Sequence, residues 1–189
     1  MPNYCYYQMC VRGTKENIER FINVIQADYN YSTMEFSNDR HLFRVFEADY
    51  DKIEKLDEND YRVIISGDCA WSVSGCMLNE HRSSYYSRIK EQYPNDFRGT
   101  TLPKESKRLH LDIEVYSEEC GEAFQEHYHF KNGKTIANEC VDYNEYCIGD
   151  YNSKVEAEED LGIKITDEEW NSGEEYIRRG GFEEWYFDM

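Results

Sequence analysis

From Tyr4 to Gly13 the chain reads YCYYQMCVRG, an aromatic and apolar run with interspersed polar positions closed by a glycine, which predicts a strand. Thr14 then stands as an N-cap before KENIERFINVIQAD, where Ile18, Phe21, Ile22 and Ile25 recur at helical spacing. HLFRVFEADY (41–50) and YRVIISGDCAW (61–71) return to strand character, and the charged DKIEKLDEND between them reads as a loop or short helical turn. Residues 74–92 predict a second helix with Met77, Leu78, Tyr85 and Ile89 as its inner stripe, stopped by Pro94. NDFRGTTLPKES reads as a connector. Three strands follow at 108–116, 123–131 and 134–147, the last two joined by Asn132-Gly133, a strong hairpin signal. The order contains the split β-α-β arrangement, so the predicted fold is α+β and ferredoxin-like (β-α-β-β-α-β with a hairpin extension) over residues 1–149, an antiparallel sheet with helices on one face.

Beyond residue 150 the pattern changes. SKVEAEEDLG and TDEEWNSGEEYIRRGGFEEWYFDM start at Ser153 and Thr166, each a reasonable cap, and read as short acidic helices separated by Gly162, Gly173 and Gly180-Gly181. This stretch, 150–189, is an acidic and partly helical extension whose closing FEEWYF is apolar enough to dock back on the domain.

Charge sharpens that division. The formal net charge is −18, and residues 110–189 hold 22 acids against six bases, while residues 1–109 hold 17 against 15. A surface of that sign repels nucleic-acid phosphate and anionic lipid and attracts a basic partner, such as the cleft of a nucleic-acid enzyme. Simple solubility is the alternative use of the same charge. Aromatic residues make up 15 % of the chain and 17 of them are tyrosine, a residue that suits half-buried strands and contact surfaces alike.

The densest chemistry lies in LHLDIEVYSEECGEAFQEHYHF (109–130), with five glutamates, one aspartate and three histidines. Alternation sends Leu109, Leu111, Ile113 and Val115 one way and His110, Asp112, Glu114 and Tyr116 the other. In the next strand Phe124, Tyr128 and Phe130 share a face with Glu126, opposite Gln125, His127 and His129. His110, Asp112, Glu114, His127 and His129 then share an outer surface, where they could hold a divalent metal or act as acid and base. A solvated sheet face is the simpler reading. Glu126, if buried, needs a donor such as a tyrosine hydroxyl or an arginine.

Seven cysteines, an odd number without a CxxC pair, read as reduced thiols of a cytoplasmic protein, mostly packing in strands. No signal peptide and no membrane-length apolar run is read in the sequence. Cys69, beside Asp68 and Trp71, is the one nucleophile worth weighing. No phosphate-cradling loop, HExxH or nucleophile elbow occurs, so no catalytic residue, cofactor or bound metal is expected.

The opening MPNYC, the strand ending at Gly13 with its following helix, SGDCAWS and DIEVYSEECGEAFQEHYHFKNG together resemble the YubB-like ferredoxin-like proteins of phages and plasmids. The resemblance spans about residues 1–147, with Tyr4 where a tryptophan is more usual, and leaves the extension without a counterpart. It implies the fold and a mobile-element setting, with Gly121 for a turn and Tyr116 and Tyr128 for packing, and implies no catalytic residues. Small acidic proteins of mobile elements include blockers of host nucleic-acid machinery, among them anti-CRISPR proteins. The expectation is therefore a non-enzymatic binder of a basic protein surface, a CRISPR nuclease being one case. Glu118, Glu119, Glu122, Glu156, Glu158, Glu159, Asp160, Glu168, Glu169, Glu174 and Glu175 are the expected contact residues. Self-assembly through the tyrosine-rich sheet and a metal-dependent enzyme are the alternatives.

Overall fold

The computed structural model describes residues 3–30, 32–33, 35–38, 40–78 and 99–187. Strand β1 (Tyr4–Gly13) buries Cys5, Tyr7, Met9 and Val11 on one face by strict alternation. Thr14 accepts the Asn17 N–H and starts α1 (Lys15–Ile25), which turns Ile18, Phe21, Ile22, Val24 and Ile25 onto that face. A small ribbon, β2 (Tyr29–Asn30) and β3 (Glu35–Phe36), precedes β4 (Asp49–Tyr50), β5 (Glu54–Asp57) and the long β6 (Asp60–Ala70).

After a π-helical turn at Ser74–Leu78 and the helix α2 (Leu102–Arg108), three strands run in sequence: β7 (Asp112–Glu119), β8 (Phe124–Lys131) and β9 (Lys134–Cys147). Helices α3 (Lys154–Leu161) and α4 (Asp167–Asn171) lead to β10 (Tyr176–Gly180). Eight strands form one antiparallel sheet in the order β10-β9-β8-β7-β1-β6-β4, with β5 also on β6. The fold is thus α+β, with a sheet larger than four strands.

The main core lies between the inner face of β1, β6, β7 and β8 and the helices α1 and α2. A second, smaller cluster of Ile148, Ala157, Ile165 and Ile177 sits under α3 and β10, joined by Tyr151, Leu161, Ile163 and Trp170. Asn132 and Gly133 both take positive φ, 50° and 79°, and close the β8–β9 hairpin as their sequence predicts.

Several boundaries differ from the sequence reading. The strand expected at 41–50 is reduced to a bridge from Val45 to Cys69 and the two residues of β4. Its middle instead presses backbone against Gly67, where an added Cβ would lie 2.0 Å from the Glu47 carbonyl oxygen. The charged stretch 51–60 is a hairpin, β5 with the start of β6, whose exposed residues gave no apolar period to read. Part of the expected connector is α2, started by Pro103 in its first turn, where proline's fixed φ favours a helix.

That helix also shortens the strand expected from 108. Arg108 ends α2, His110 takes φ 52°, and pairing begins at Asp112. The expected helix over 74–92 begins as the π-helical turn with Cys76 and Met77 buried, and Tyr85 and Ile89 lie outside the described residues.

Candidate functional site on the outer sheet face

The outer face of β7, β8 and β9 gathers most of the residues singled out above. Pairing sets Glu114 opposite His129 and Tyr116 opposite His127, so the alternation predicted for these strands holds. His127 Nε2 lies 2.9 Å from Glu114 Oε1, and its Nδ1 lies 3.1 Å from Glu139 Oε2 on β9. His129 meets Asp112 at 2.6 Å, and Lys131 holds the other Asp112 oxygen at 2.7 Å. His110 stands apart, exposed in the turn before β7.

The five residues are therefore not one cluster. His127 lies between Glu114 and Glu139 and His129 pairs with Asp112, and among the described residues no group of three or more His, Cys, Asp or Glu side chains is arranged to hold a metal ion. Cys69 is fully buried; its hydrogen bonds with Cys5 and Cys76, and then its burial, push its thiol far above the ordinary range. That is the wrong direction for a nucleophile.

Tyr116 stacks on His127 with ring centroids 4.1 Å apart. Over this pair runs the C-terminal segment after β10. Phe182 and Phe187 meet Tyr116 edge-on, Trp185 stacks on it at 5.9 Å, and the Tyr116 hydroxyl donates to the Tyr186 carbonyl at 3.0 Å. The Phe182 N–H donates to Gln125 Oε1 at 2.6 Å. The contacts account for three of the aromatic residues of this segment, Phe182, Trp185 and Phe187, while the Tyr186 side chain stays exposed.

Burial works against a charged His127, but the hydrogen bonds to Glu114 and Glu139 outweigh it and raise its pKa above the usual 6.5. A raised folded-state pKa contributes stability that is fully present below pH 6.5 and is lost as pH rises through the folded value. The protein should therefore lose stability on that alkaline limb, and His127→Gln should flatten it. Chemical denaturation between pH 5 and 9 for both proteins checks this; the same slope in both would show the pair contributes nothing.

The acidic residues divide sharply. Glu119 is 2 % exposed and accepts the Gly121 and Glu122 N–H groups, holding the β7–β8 turn. Glu118 accepts from Tyr143 at 2.8 Å and Gln125 at 2.9 Å and pairs with Arg178 at 2.7 Å. Burial opposes its charge, yet those bonds hold its pKa below the usual value. Glu169 pairs with Arg179 at 2.6 Å and completes a capping box with Thr166, which lowers its pKa to about 2. Glu158 accepts the Ile165 N–H at 2.9 Å.

These four carry structure. Glu122, Glu156, Glu159, Asp160, Glu168, Glu174 and Glu175 are exposed, though Asp160 accepts the Tyr151 hydroxyl. For Glu118 sequence spacing held no sign of this role, because Arg178 reaches it from a strand 60 residues along the chain, whereas the partners of Glu119, Glu158 and Glu169 lie within ten residues of them. Among the described residues no helix is long and apolar enough to cross a membrane. No family model, no curated protein and no solved structure shows a significant match to the chain.

Proposed function

We propose that this chain is a non-enzymatic acidic binding protein that occupies a basic surface of another protein. The first candidate is a nucleic-acid-binding protein of a host, such as a CRISPR nuclease, met in the cytoplasm. One observation carries the reading: exposed Glu156, Glu159, Asp160, Glu168, Glu174 and Glu175 project from α3, α4 and the turn before β10, which share one small core. Their charge is thus presented on a packed scaffold. Such a surface steers a basic partner towards it and competes with nucleic acid for the same groove.

Residues 4–119 support a ferredoxin-like reading in their strand order β7-β1-β6-β4, the split β-α-β order, to which β8, β9 and β10 are added. The resemblance to YubB-like proteins supports a phage or plasmid setting.

Capture from a host lysate at low salt tests the proposal. The expected result is a basic nucleic-acid-binding protein that is released by high salt and displaced by duplex DNA. Capture of nothing basic, or of a partner indifferent to salt and DNA, would reject it.

A further inference from the structure

Alternation in β1 sends Cys5 and Tyr7 into the core and leaves Tyr4 and Tyr6 on the outer face, 63 % and 45 % exposed. Phe46, 43 % exposed, lies against Tyr4 with ring centroids 5.4 Å apart, and Trp185 stacks on Tyr6 at 5.7 Å. Exposed rings grouped in this way mark contact surfaces rather than core packing. Asp68 is the cross-strand partner of Tyr6, and its carbonyl accepts the Phe46 N–H at 2.8 Å, so it is flanked by both residues. Its carboxylate takes no hydrogen bond or ion pair from the described residues. Asp68 is half-buried, while Glu47, next to Phe46, and Glu183 and Glu184, the two residues before Trp185, are exposed.

The same chain already holds one guanidinium between a ring and carboxylates and a second one over a ring alone. Arg178 lies over the Tyr143 ring at 4.2 Å, with carboxylate oxygens of Glu118 and Glu145 at 2.7 and 2.8 Å. Arg44 lies over the Trp71 ring at 4.4 Å. A planar guanidinium stacks on a ring face while its edge donates to carboxylate, which a lysine ammonium cannot do as well.

We infer that the ridge of Tyr4, Tyr6, Phe46 and Trp185, with Asp68 at its side, is a docking surface for arginine side chains of a basic partner protein. The inference rests on the proposed binding of basic proteins and adds a division of labour. The exposed acids of α3, α4 and the turn before β10 attract the partner, and the ridge selects arginine over lysine.

Fluorescence anisotropy with labelled octa-arginine and octa-lysine peptides separates the two parts. Wild type should bind octa-arginine about fivefold tighter than octa-lysine, the scale of one or two exposed cation–π contacts. The ridge variant Tyr4→Ala/Phe46→Ala/Asp68→Asn should lose that preference and keep its octa-lysine affinity. Asp68→Asn alone, nearly isosteric, should reduce the preference if the triple variant fails a melting control. Reversal of Glu156, Glu159, Glu174 and Glu175 to lysine should weaken both peptides and leave their ratio unchanged.

Equal affinity of wild type for the two peptides, or a preference that survives in both ridge variants, overturns the ridge while the acidic surface stands. Binding of neither peptide removes both readings. A ridge variant that changes sedimentation from dimer to monomer without changing the arginine preference reassigns the ridge to self-association.

Discussion

Replacing Glu126 by alanine is expected to lower the free energy of unfolding by about 3–5 kcal/mol. Glu126 sits in β8 at 2 % exposure on the apolar face, beside Tyr128 and Phe130. Its Oε2 accepts the Val73 N–H at 2.8 Å and the Ser117 hydroxyl at 3.0 Å, and its Oε1 accepts the Tyr128 hydroxyl at 3.0 Å and the Ser74 N–H at 3.3 Å. One carboxylate thus satisfies the backbone where β6 gives way to the π-helical turn and ties it to the sheet. Alanine would strand those donors in a dry site, and each buried donor left unmade costs about 1–3 kcal/mol.

Glutamine keeps the shape but aims an NH2 group at donors, so Glu126→Gln should fall between wild type and alanine. Tyr128→Phe should cost about 1 kcal/mol in wild type and nearly nothing on the Glu126→Ala background, because the lost bond is the same one. Equilibrium unfolding in urea measures the four variants against wild type. A loss of less than about 1 kcal/mol for Glu126→Ala would mean the donors find other partners.

The second large effect belongs to Glu105, fully buried in α2. It accepts from Arg40 Nη2 at 2.6 Å, from the Thr100 hydroxyl at 2.7 Å and from Arg108. Burial disfavours its charge, and the hydrogen bonds from Arg108, Thr100 and Arg40 overcome that and lower its pKa below the usual 4.5. A depressed folded-state pKa contributes stability that is present above pH 4.5 and is lost as pH falls through the folded value.

Glu105→Gln should therefore cost about 2–3 kcal/mol at pH 7 and make the acid limb of the stability curve shallower. The loss is smaller than at Glu126 because Arg40 and Arg108 are 45 % and 36 % exposed and can turn to water. Unfolding in urea at pH 7 and at steps down to pH 3 gives both quantities; parallel acid limbs would show that another carboxylate sets the acid sensitivity.

The sequence was most legible where one period dominated. β1, α1 and the β8–β9 hairpin could be read because alternation, the Thr14 cap and Asn132-Gly133 agree with one another. Glu126, if buried, needs a tyrosine hydroxyl or an arginine, and of the two it is a tyrosine hydroxyl, that of Tyr128, that it meets. The segment 41–50 misled because apolar residues there pack as a loop against Gly67 rather than as a strand. The helix α2 was hidden behind Pro103, which breaks a helix interior but fits its first turn.

At the candidate site, alternation placed Glu114, His127 and His129 on one face correctly. It could not show that each histidine has its own carboxylate, nor that Glu139 arrives from β9. Those facts depend on register and on which strand comes third, and neither is written in a local period.

The exposed acids of the C-terminal extension are the centre of the account, and the rate at which they bring a basic partner in is the measurement that tests it. Association of the captured partner is followed by stopped flow for wild type and for Glu156→Lys/Glu159→Lys/Glu174→Lys/Glu175→Lys, at low and at high salt. The wild-type rate should fall steeply as the Debye length shrinks from about 10 Å at 0.1 M to about 3 Å at 1 M. The reversal should slow association about 10- to 100-fold at low salt, converge with wild type at high salt, and leave the melting temperature unchanged. Rates indifferent to both salt and reversal would contradict the account and leave the charge with no role beyond keeping the protein in solution.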